Sequence, residues 1–296
     1  MGGHKPPFLM IKDKGISQLL CLSIYIVSFY LAYIVLPESI NFIWLKITIW
    51  HVNATILIYL GSVLLKNSSL YDPFWSVAPV PIVLYLSIQS ENSILLKMLV
   101  VFPILLWAAR LTRNWVISWE GFEHEDFRYI DLKNTNKYKA EFNNFFGIHL
   151  FPTFIVNICL YPLVYIFIND VDVNIYLYIS SIITFLAVIL EAVADEQMRK
   201  FRSDPKNKGK TMKYKLWRYS RHPNYLGEIG FWFGIYFMGI SSGFAPLWLI
   251  VCPLAMLLLF VLVSCPMMDQ RSLKNRPNYR EYMDNTSQLM LLPPKN

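Results

Sequence analysis

The residues with the strongest claim to chemistry lie between positions 190 and 230, where acids and bases recur at helical spacing and then meet an apolar stretch. Glu191, Asp195, Arg199 and Arg202 follow at intervals of four, four and three, which lines them along one stripe of a helix. Arg221, Asn224 and Glu228 follow at three and four, and at about 100° per residue they share a face, with Tyr225 beside them. Pro223 suits the first position of a helix, where its missing N–H is not needed. That helix opens with free backbone N–H groups, an end that attracts anions. Glu228 runs straight into Ile229-Gly-Phe-Trp-Phe, where an unpartnered carboxylate is costly, so it calls for a partner or a ligand.

From Arg199 to Arg221 there are ten bases and one acid, Asp204. A basic concavity beside a helix N-terminus suits a polyphosphate. The plainer readings are lipid headgroups for Arg199, Arg202, Arg218 and Arg221, and an Asp195–Arg199 pair on a solvated helix end. No GxGxxG or Walker pattern occurs, so a dinucleotide here is held by neither a Rossmann nor a P-loop fold. His222 is either a proton donor or a helix-start residue touching phosphate, and Gly227, Gly230 and Gly234 form a small-residue face suited to a neighbouring helix. A second polar stretch, Arg110 to Tyr129, mixes aromatics, acids and bases; its plain reading is an interfacial anchor of snorkelling Arg and belt Trp. The four cysteines are scattered, and His51, His124 and His149 lack ligand spacing, so neither a disulfide framework nor a metal site is expected.

The frame that must position these residues is apolar. With 296 residues, 55% hydrophobic and only 16% charged, the chain reads as an all-α, polytopic membrane helix bundle of seven to eight transmembrane helices. The apolar spans are about Ile16–Leu36, Leu45–Leu65, Phe74–Ser90, Ile94–Trp115, Phe146–Ile168, Ile175–Ala194, Leu226–Ile240 and Ala245–Val263, the third and seventh short for a full crossing. Eight crossings with a cytosolic N-terminus put 25 of the 27 Lys and Arg residues on the cytosolic side, leaving only Lys46 and Lys97 outside. Both termini and the loops 110–145 and 195–223 are therefore expected in the cytosol. The +7 charge points to anionic headgroups or an anionic ligand rather than nucleic acid, because the bases collect in loops between apolar spans.

Asp195-x3-Arg199-x2-Arg202, Arg221-His-Pro-Asn-Tyr-Leu-Gly-Glu228 and Arg276-Pro-Asn-Tyr-Arg-Glu-Tyr before Leu292-Pro293 resemble the C-terminal region of the steroid 5-alpha-reductase superfamily. The likeness is to the membrane branch carrying domain of unknown function 1295, with an Arg-His-Pro-Asn-Tyr signature as in sterol reductases. It runs from about residue 60 to the end and is best over 190–285. It implies a reductase-like membrane domain over 61–296 with a cofactor-binding region at 190–285, and the N-terminal membrane spans over 1–60 contribute nothing to it. It further implies NADPH as cofactor, contacted by Asp195, Arg199, Arg202, Asn224 and Glu228. Glu191 replaces the Asn that characterised reductases tend to have, and Met267-Met268-Asp269 replaces a His-rich turn. With these go Arg218, Arg221, His222 and Tyr225 of the same junction as candidate cofactor contacts.

The implied reaction reduces a carbon–carbon double bond conjugated to a ketone in a lipophilic steroid, sterol or other lipid, and needs an acid at the ketone oxygen. In the steroid reductases a Glu with Pro soon after it takes part. Tyr71-Asp72-Pro73 occupies the corresponding place here, which makes Asp72 the candidate acid, and Tyr129 is the nearest polar-loop candidate for the second. An Asp-Pro turn opening a helix is the plain reading of Asp72. A membrane methyltransferase of the isoprenylcysteine or phospholipid type, using S-adenosylmethionine, shares the Arg-His-Pro-x-Tyr signature and is the alternative, and an inactive sterol-binding scaffold is the third. The membrane would be that of the endoplasmic reticulum in a eukaryote and the inner membrane otherwise.

Overall fold

Asp13 accepts a hydrogen bond from the Ile16 amide at 2.8 Å and so caps the first helix, α1 (Lys14–Ile34), in the computed structural model, which describes residues 13–295. α2 (Ile43–Leu65) ends where Lys66 turns left-handed, at φ 53°. A tight turn (Ser68–Tyr71) and a single helical turn (Phe74–Val77) lead into α3 (Pro79–Gln89). Then come α4 (Ile94–Ser118), α5 (Phe127–Lys133), α6 (the run Lys137–Phe167), α7 (Ile175–Ser203), α8 (Pro223–Ser241), α9 (the run Leu247–Asn275) and α10 (Tyr279–Asn285). All regular structure among the described residues is helical.

Among the described residues six helices are long and apolar enough to cross a membrane: α1, α2, α4, α6, α7 and α9. The two spans expected to be short differ from these for visible reasons. The 74–90 stretch breaks at Ala78 into four and eleven residues, because Pro79 and Pro81 lack the N–H that would continue the ladder. α8 has 19 residues but carries Asn224 and Glu228 in its first two turns. In α6 and α9 a π-wound stretch, Asn143–Leu150 and Phe260–Ser264, precedes Pro152 and Pro266, where the α-helical ladder loses a donor.

By packing, the chain divides into two compact units. One comprises the chain up to Glu91 with Ile104–Ile168; the other comprises Asn92–Pro103 with the residues from Asn169 onward, so the boundary crosses α4 beside its internal Pro103. In the first unit Trp50 donates from Nε1 to the Phe29 carbonyl at 2.9 Å, and Tyr25 donates to the Leu70 carbonyl at 2.6 Å. Phe29 stacks on Phe74 with centroids 5.5 Å apart. Between α2 and α6 the Thr55 and Thr153 hydroxyls meet at 3.0 Å, and Ser62 Oγ lies 2.8 Å from His149 Nε2. Such polar pairs hold membrane helices together where apolar contact alone gives no preference over lipid.

The second unit is built on close contact between α7 and α8. A Cβ added to Gly227 would lie 2.3 Å from Glu191 Cγ, and one added to Gly234 would lie 2.1 Å from Thr184 Oγ1. The glycine face thus lets the two helices approach at the level of Thr184, Ala187 and Glu191. Asn174 caps α7 through the Leu177 amide at 3.0 Å and donates to the Ser241 carbonyl at 2.9 Å, tying the start of α7 to the end of α8.

Candidate functional site

Glu191 and Glu228 enter the α7–α8 seam as a direct result of that glycine spacing, and both are buried, at 1% and 5% exposure. Glu228 Oε1 accepts from Trp232 Nε1 at 2.9 Å, one turn further along α8. Just before Glu228 on the same helix α8 opens at Pro223 with no side chain capping its first turn, and Asn224 and Tyr225 stand there partly exposed.

Asp269, in the last turns of α9, organises the approach to that opening. It is 4% exposed, and its carboxylate takes Arg221 Nη2 at 3.0 Å, His222 Nε2 at 3.0 Å and the Tyr279 hydroxyl at 2.5 Å. A carboxylate only accepts, so His222 carries its proton on Nε2. The His222 ring lies parallel to Tyr225, 5.3 Å between centroids, and Tyr225 rests on Phe260 at 4.7 Å. The chain after α10 then straps the junction down. The Arg221 amide donates to the Ser287 carbonyl at 2.9 Å, Ser220 Oγ to the Leu289 carbonyl at 2.7 Å, and the Leu292 amide to the Tyr219 carbonyl at 3.1 Å. Tyr282 donates from its hydroxyl to the Trp217 carbonyl. Arg221 Nη1 donates to the Met283 carbonyl at 2.8 Å, while its Nε is a buried donor with no hydrogen-bond partner.

The remaining cofactor candidates separate. Arg199 does not pair with Asp195, as spacing suggested, but forks onto Glu196 at 2.7 and 2.6 Å, with Lys200 on the same carboxylate at 3.5 Å. The i,i+3 neighbour is as close as the i,i+4 one, and the planar guanidinium takes whichever carboxylate it can grip with both arms. Arg202 is exposed and lies in electrostatic range of Arg276, Asp195, Arg271 and Tyr225. Arg218 stands apart from the bonds that hold Arg221 and lines a cavity of about 590 Å³ formed with the 207–214 loop and α10.

In the first unit the two candidate acids meet. Tyr129, on α5, donates to Asp72 Oδ1 at 2.5 Å, and Arg128 Nη2 lies 3.6 Å from the same oxygen. The pair forms because the 122–133 stretch is docked on the 67–72 turn. Asn67 Nδ2 donates to the Phe122 and His124 carbonyls at 2.9 and 3.0 Å, the Ser68 amide donates to Glu125 Oε1 at 2.6 Å, and the Asp126 amide donates to Ser69 Oγ at 2.8 Å. Lys133 closes the contact on Glu125 at 2.5 Å and Ser68 Oγ at 3.0 Å. Burial pushes the Asp72 carboxyl up to about 6, against the opposing pull of Arg128 and the Tyr129 hydrogen bond; the side chain keeps 22% exposure. Burial, with the Asp72 charge second, raises Tyr129 well above the ordinary tyrosine value. A carboxyl so poised, bonded to an un-ionised phenol, can donate a proton near neutral pH.

Sequence reasoning gave Asp269 only as part of a departure from the family pattern, without a role, and missed Glu196 and the Glu125–Lys133 clamp. An acid three residues after a Pro in the last apolar span is a readable signal for Asp269, because such an acid needs a stated partner. His51 and His149 are buried in the first unit, His149 held by Ser62 and the Asn144 carbonyl, and all four cysteines are buried thiols. Among the described residues no group of three His, Cys, Asp or Glu side chains is disposed to hold a metal ion.

A family model described as a protein of unknown function, DUF1295, matches residues 58–286. Uncharacterized protein C594.04c of Schizosaccharomyces pombe is 26% identical over 250 residues, covering 75% of this chain and 72% of the relative. No solved structure matches. The matched segment takes in the Asp72–Tyr129 pair, the α7–α8 seam and the Asp269 hub together, and the chain belongs to the DUF1295 family.

Proposed function

We propose that this protein is an NADPH-dependent membrane reductase that saturates a carbon–carbon double bond conjugated to a ketone in a lipophilic substrate, a member of the steroid 5-alpha-reductase superfamily. The observation that carries the reading is the 2.5 Å hydrogen bond between Asp72 and Tyr129, a proton-donating pair suited to polarising the ketone that activates the double bond, which a methyl transfer does not need. The second unit fits a polyanionic nucleotide. Its α8 start is uncapped by any side chain, Arg221 Nε is a buried donor without a partner, and Arg202 lies in electrostatic range of Arg276, Asp195, Arg271 and Tyr225. Arg202 and Asn224 would hold the cofactor, with Arg199, Arg221, His222, Tyr225, Glu191, Asp195 and Glu228 shaping the region around them. NADPH, when bound, supplies the hydride. Asp72 and Tyr129 would hold a proton at the ketone oxygen, and Asp269 would keep Arg221 and His222 fixed.

The same reading takes the 74–90 stretch and α8 as membrane-embedded with the six long helices, giving seven to eight crossings with both termini in the cytosol, in the endoplasmic reticulum of a eukaryote or an inner membrane otherwise. Asn67 sits in a glycosylation sequon but is 2% exposed with its amide committed, so its lack of sugar says nothing about sidedness. A cysteine placed at exposed Lys208 reports it instead: labelling from the lumenal or periplasmic side would sink the orientation.

The function is tested by purifying the full chain and identifying the nucleotide it retains. NADPH is expected, and its oxidation should depend on an enone lipid. S-adenosylmethionine in its place would turn the reading to a methyltransferase, and neither nucleotide would turn it to a binding scaffold.

A further inference from the structure

The second unit carries a cavity that the proposed reduction does not use. Its volume is about 590 Å³, and among the described residues Lys210, Lys213 and Arg218 line it with one acid, Glu281. Thr211, Asn278 and Asn285 add neutral hydrogen-bonding groups to its walls, and Phe201, Tyr214 and Tyr282 add rings. In the same unit Arg199 and Lys200 pair with Glu196, and Arg280 with Asp284. Among the described residues no ion pair or side-chain hydrogen bond engages Lys210, Lys213 or Arg218. The Thr211 hydroxyl is buried and also has no hydrogen-bond partner. A buried hydroxyl without a partner costs free energy unless something satisfies it, and three like charges around one concavity repel until an anion enters.

The Asp269 hub takes Arg221 and Tyr279, whereas this cavity takes Arg218 and Tyr282, each three residues away in sequence. Tyr282 spends its hydroxyl on the Trp217 carbonyl, so it serves the cavity as a wall and not as a donor. We propose that this cavity is a second ligand site, for a phosphate-bearing anion, with Lys210, Lys213 and Arg218 holding the charge and Thr211 donating to a phosphate oxygen. Two ammonium groups and a guanidinium against one carboxylate suit a doubly charged phosphate ester or diphosphate. That chemistry is shared by soluble phosphorylated metabolites and by the headgroup of an anionic phospholipid.

The test uses the full chain in phosphatidylcholine nanodiscs, with labelled inorganic pyrophosphate as probe. Saturable binding is expected that NADPH does not displace, that Asn224→Ala leaves intact, and that Lys210→Glu with Lys213→Glu weakens by tenfold or more, on the order of one lost charge-assisted contact. Thr211→Val, nearly isosteric, should weaken it several-fold with an unchanged unfolding midpoint. Nanodiscs containing phosphatidic acid separate the sources: loss of pyrophosphate binding there identifies the headgroup as occupant, and unchanged binding identifies a soluble phosphate. Wild-type affinity in the double charge-reversal variant overturns the proposal. So does displacement by NADPH together with loss in Asn224→Ala, which would make this the nucleotide site. Pyrophosphate binding without any NADPH binding would overturn the reductase reading and leave this cavity as assigned.

Discussion

The two units handle buried charge in opposite ways. Around Asp72 the carboxyl is raised, and its nearest partners are a phenol and one guanidinium already forked onto Asp126 at 2.8 and 3.1 Å. Around Asp269 the carboxylate is surrounded by donors, with Arg221, His222 and Tyr279 all within 3.0 Å. The first arrangement leaves a proton available; the second fixes a charge so that it can hold two neighbours in place. A reaction that moves a proton belongs with the first, and a site that must keep its shape while an anion comes and goes belongs with the second.

The sharpest way to break that contrast is to remove the Asp72 proton while keeping its shape. Asp72→Asn is expected to lower turnover on an enone by about 10²–10⁴-fold, the usual worth of a general acid, while NADPH affinity is unchanged. Wild-type turnover should fall as pH rises through about 6, where the carboxyl ionises. The stability linkage has the same direction. A folded value raised from 3.8 to about 6 contributes stability at low pH that is lost as pH climbs through that window, and the Asn variant should show no such slope. A turnover profile flat across pH 5–7 in the wild type, on the order of one unit either side of that value, would remove Asp72 from the chemistry.

How much of this was legible beforehand follows from the kind of signal each residue leaves. The α7–α8 seam was readable because Gly227 and Gly234 recur at helical spacing, and the same period put Asn224 and Glu228 on one face. The six long spans were readable because length and hydropathy decide them; the 74–90 stretch is harder, since its prolines break a run that is apolar throughout. The meeting of Asp72 with Tyr129 rests on Asn67, Ser68 and Ser69 receiving a loop some 57 positions away, and no local period reports a contact of that kind. Asp269 was in view as a departure from a family pattern, but its partners lie 47 and 10 residues away. The plain reading that pairs Arg199 with Asp195 gives way to Glu196 because both acids are within reach of one turn, and only side-chain direction chooses between them.

The second test acts on stability in the other unit. Asp269→Ala leaves the Arg221 charge buried with only carbonyls to meet it and is expected to cost about 3–5 kcal/mol, read as a lower unfolding midpoint. Asn224→Ala and Glu228→Gln should leave the midpoint nearly unchanged and weaken nucleotide binding. If Asp269→Ala unfolds no more easily than Asn224→Ala, the hub does not hold the junction, and the contrast between the two carboxyls fails.

A smaller effect concerns which nucleotide is preferred. NADPH carries a 2′-phosphate that NADH lacks, and guanidinium groups grip such a group from two sides. Arg202→Ala is expected to weaken NADPH by roughly 1.5–3 kcal/mol and NADH much less. Equal losses would assign Arg202 to the shared pyrophosphate, and no loss for either would assign it to lipid headgroups.

The smallest effect is expected at Arg199, and its sign is informative. Both arms of that guanidinium are on Glu196, and Lys200 shares the carboxylate, so Arg199 has to leave an existing partner before it can meet a phosphate. The pair is exposed, where such contacts contribute little to folding. Arg199→Ala should therefore leave the unfolding midpoint unchanged and weaken NADPH binding less than Arg202→Ala does. Glu196→Gln removes the competing charge and keeps the side chain's size, so it should tighten NADPH binding slightly if Arg199 turns toward the cofactor. Titrating NADPH fluorescence against both variants at low salt decides the matter, since exposed charges are screened within about 10 Å at 0.1 M salt. A gain in Glu196→Gln with a loss in Arg199→Ala makes Arg199 a cofactor ligand held in check. No change in either confines it to the end of α7, and leaves Arg202 as the residue on that helix that reads the phosphate.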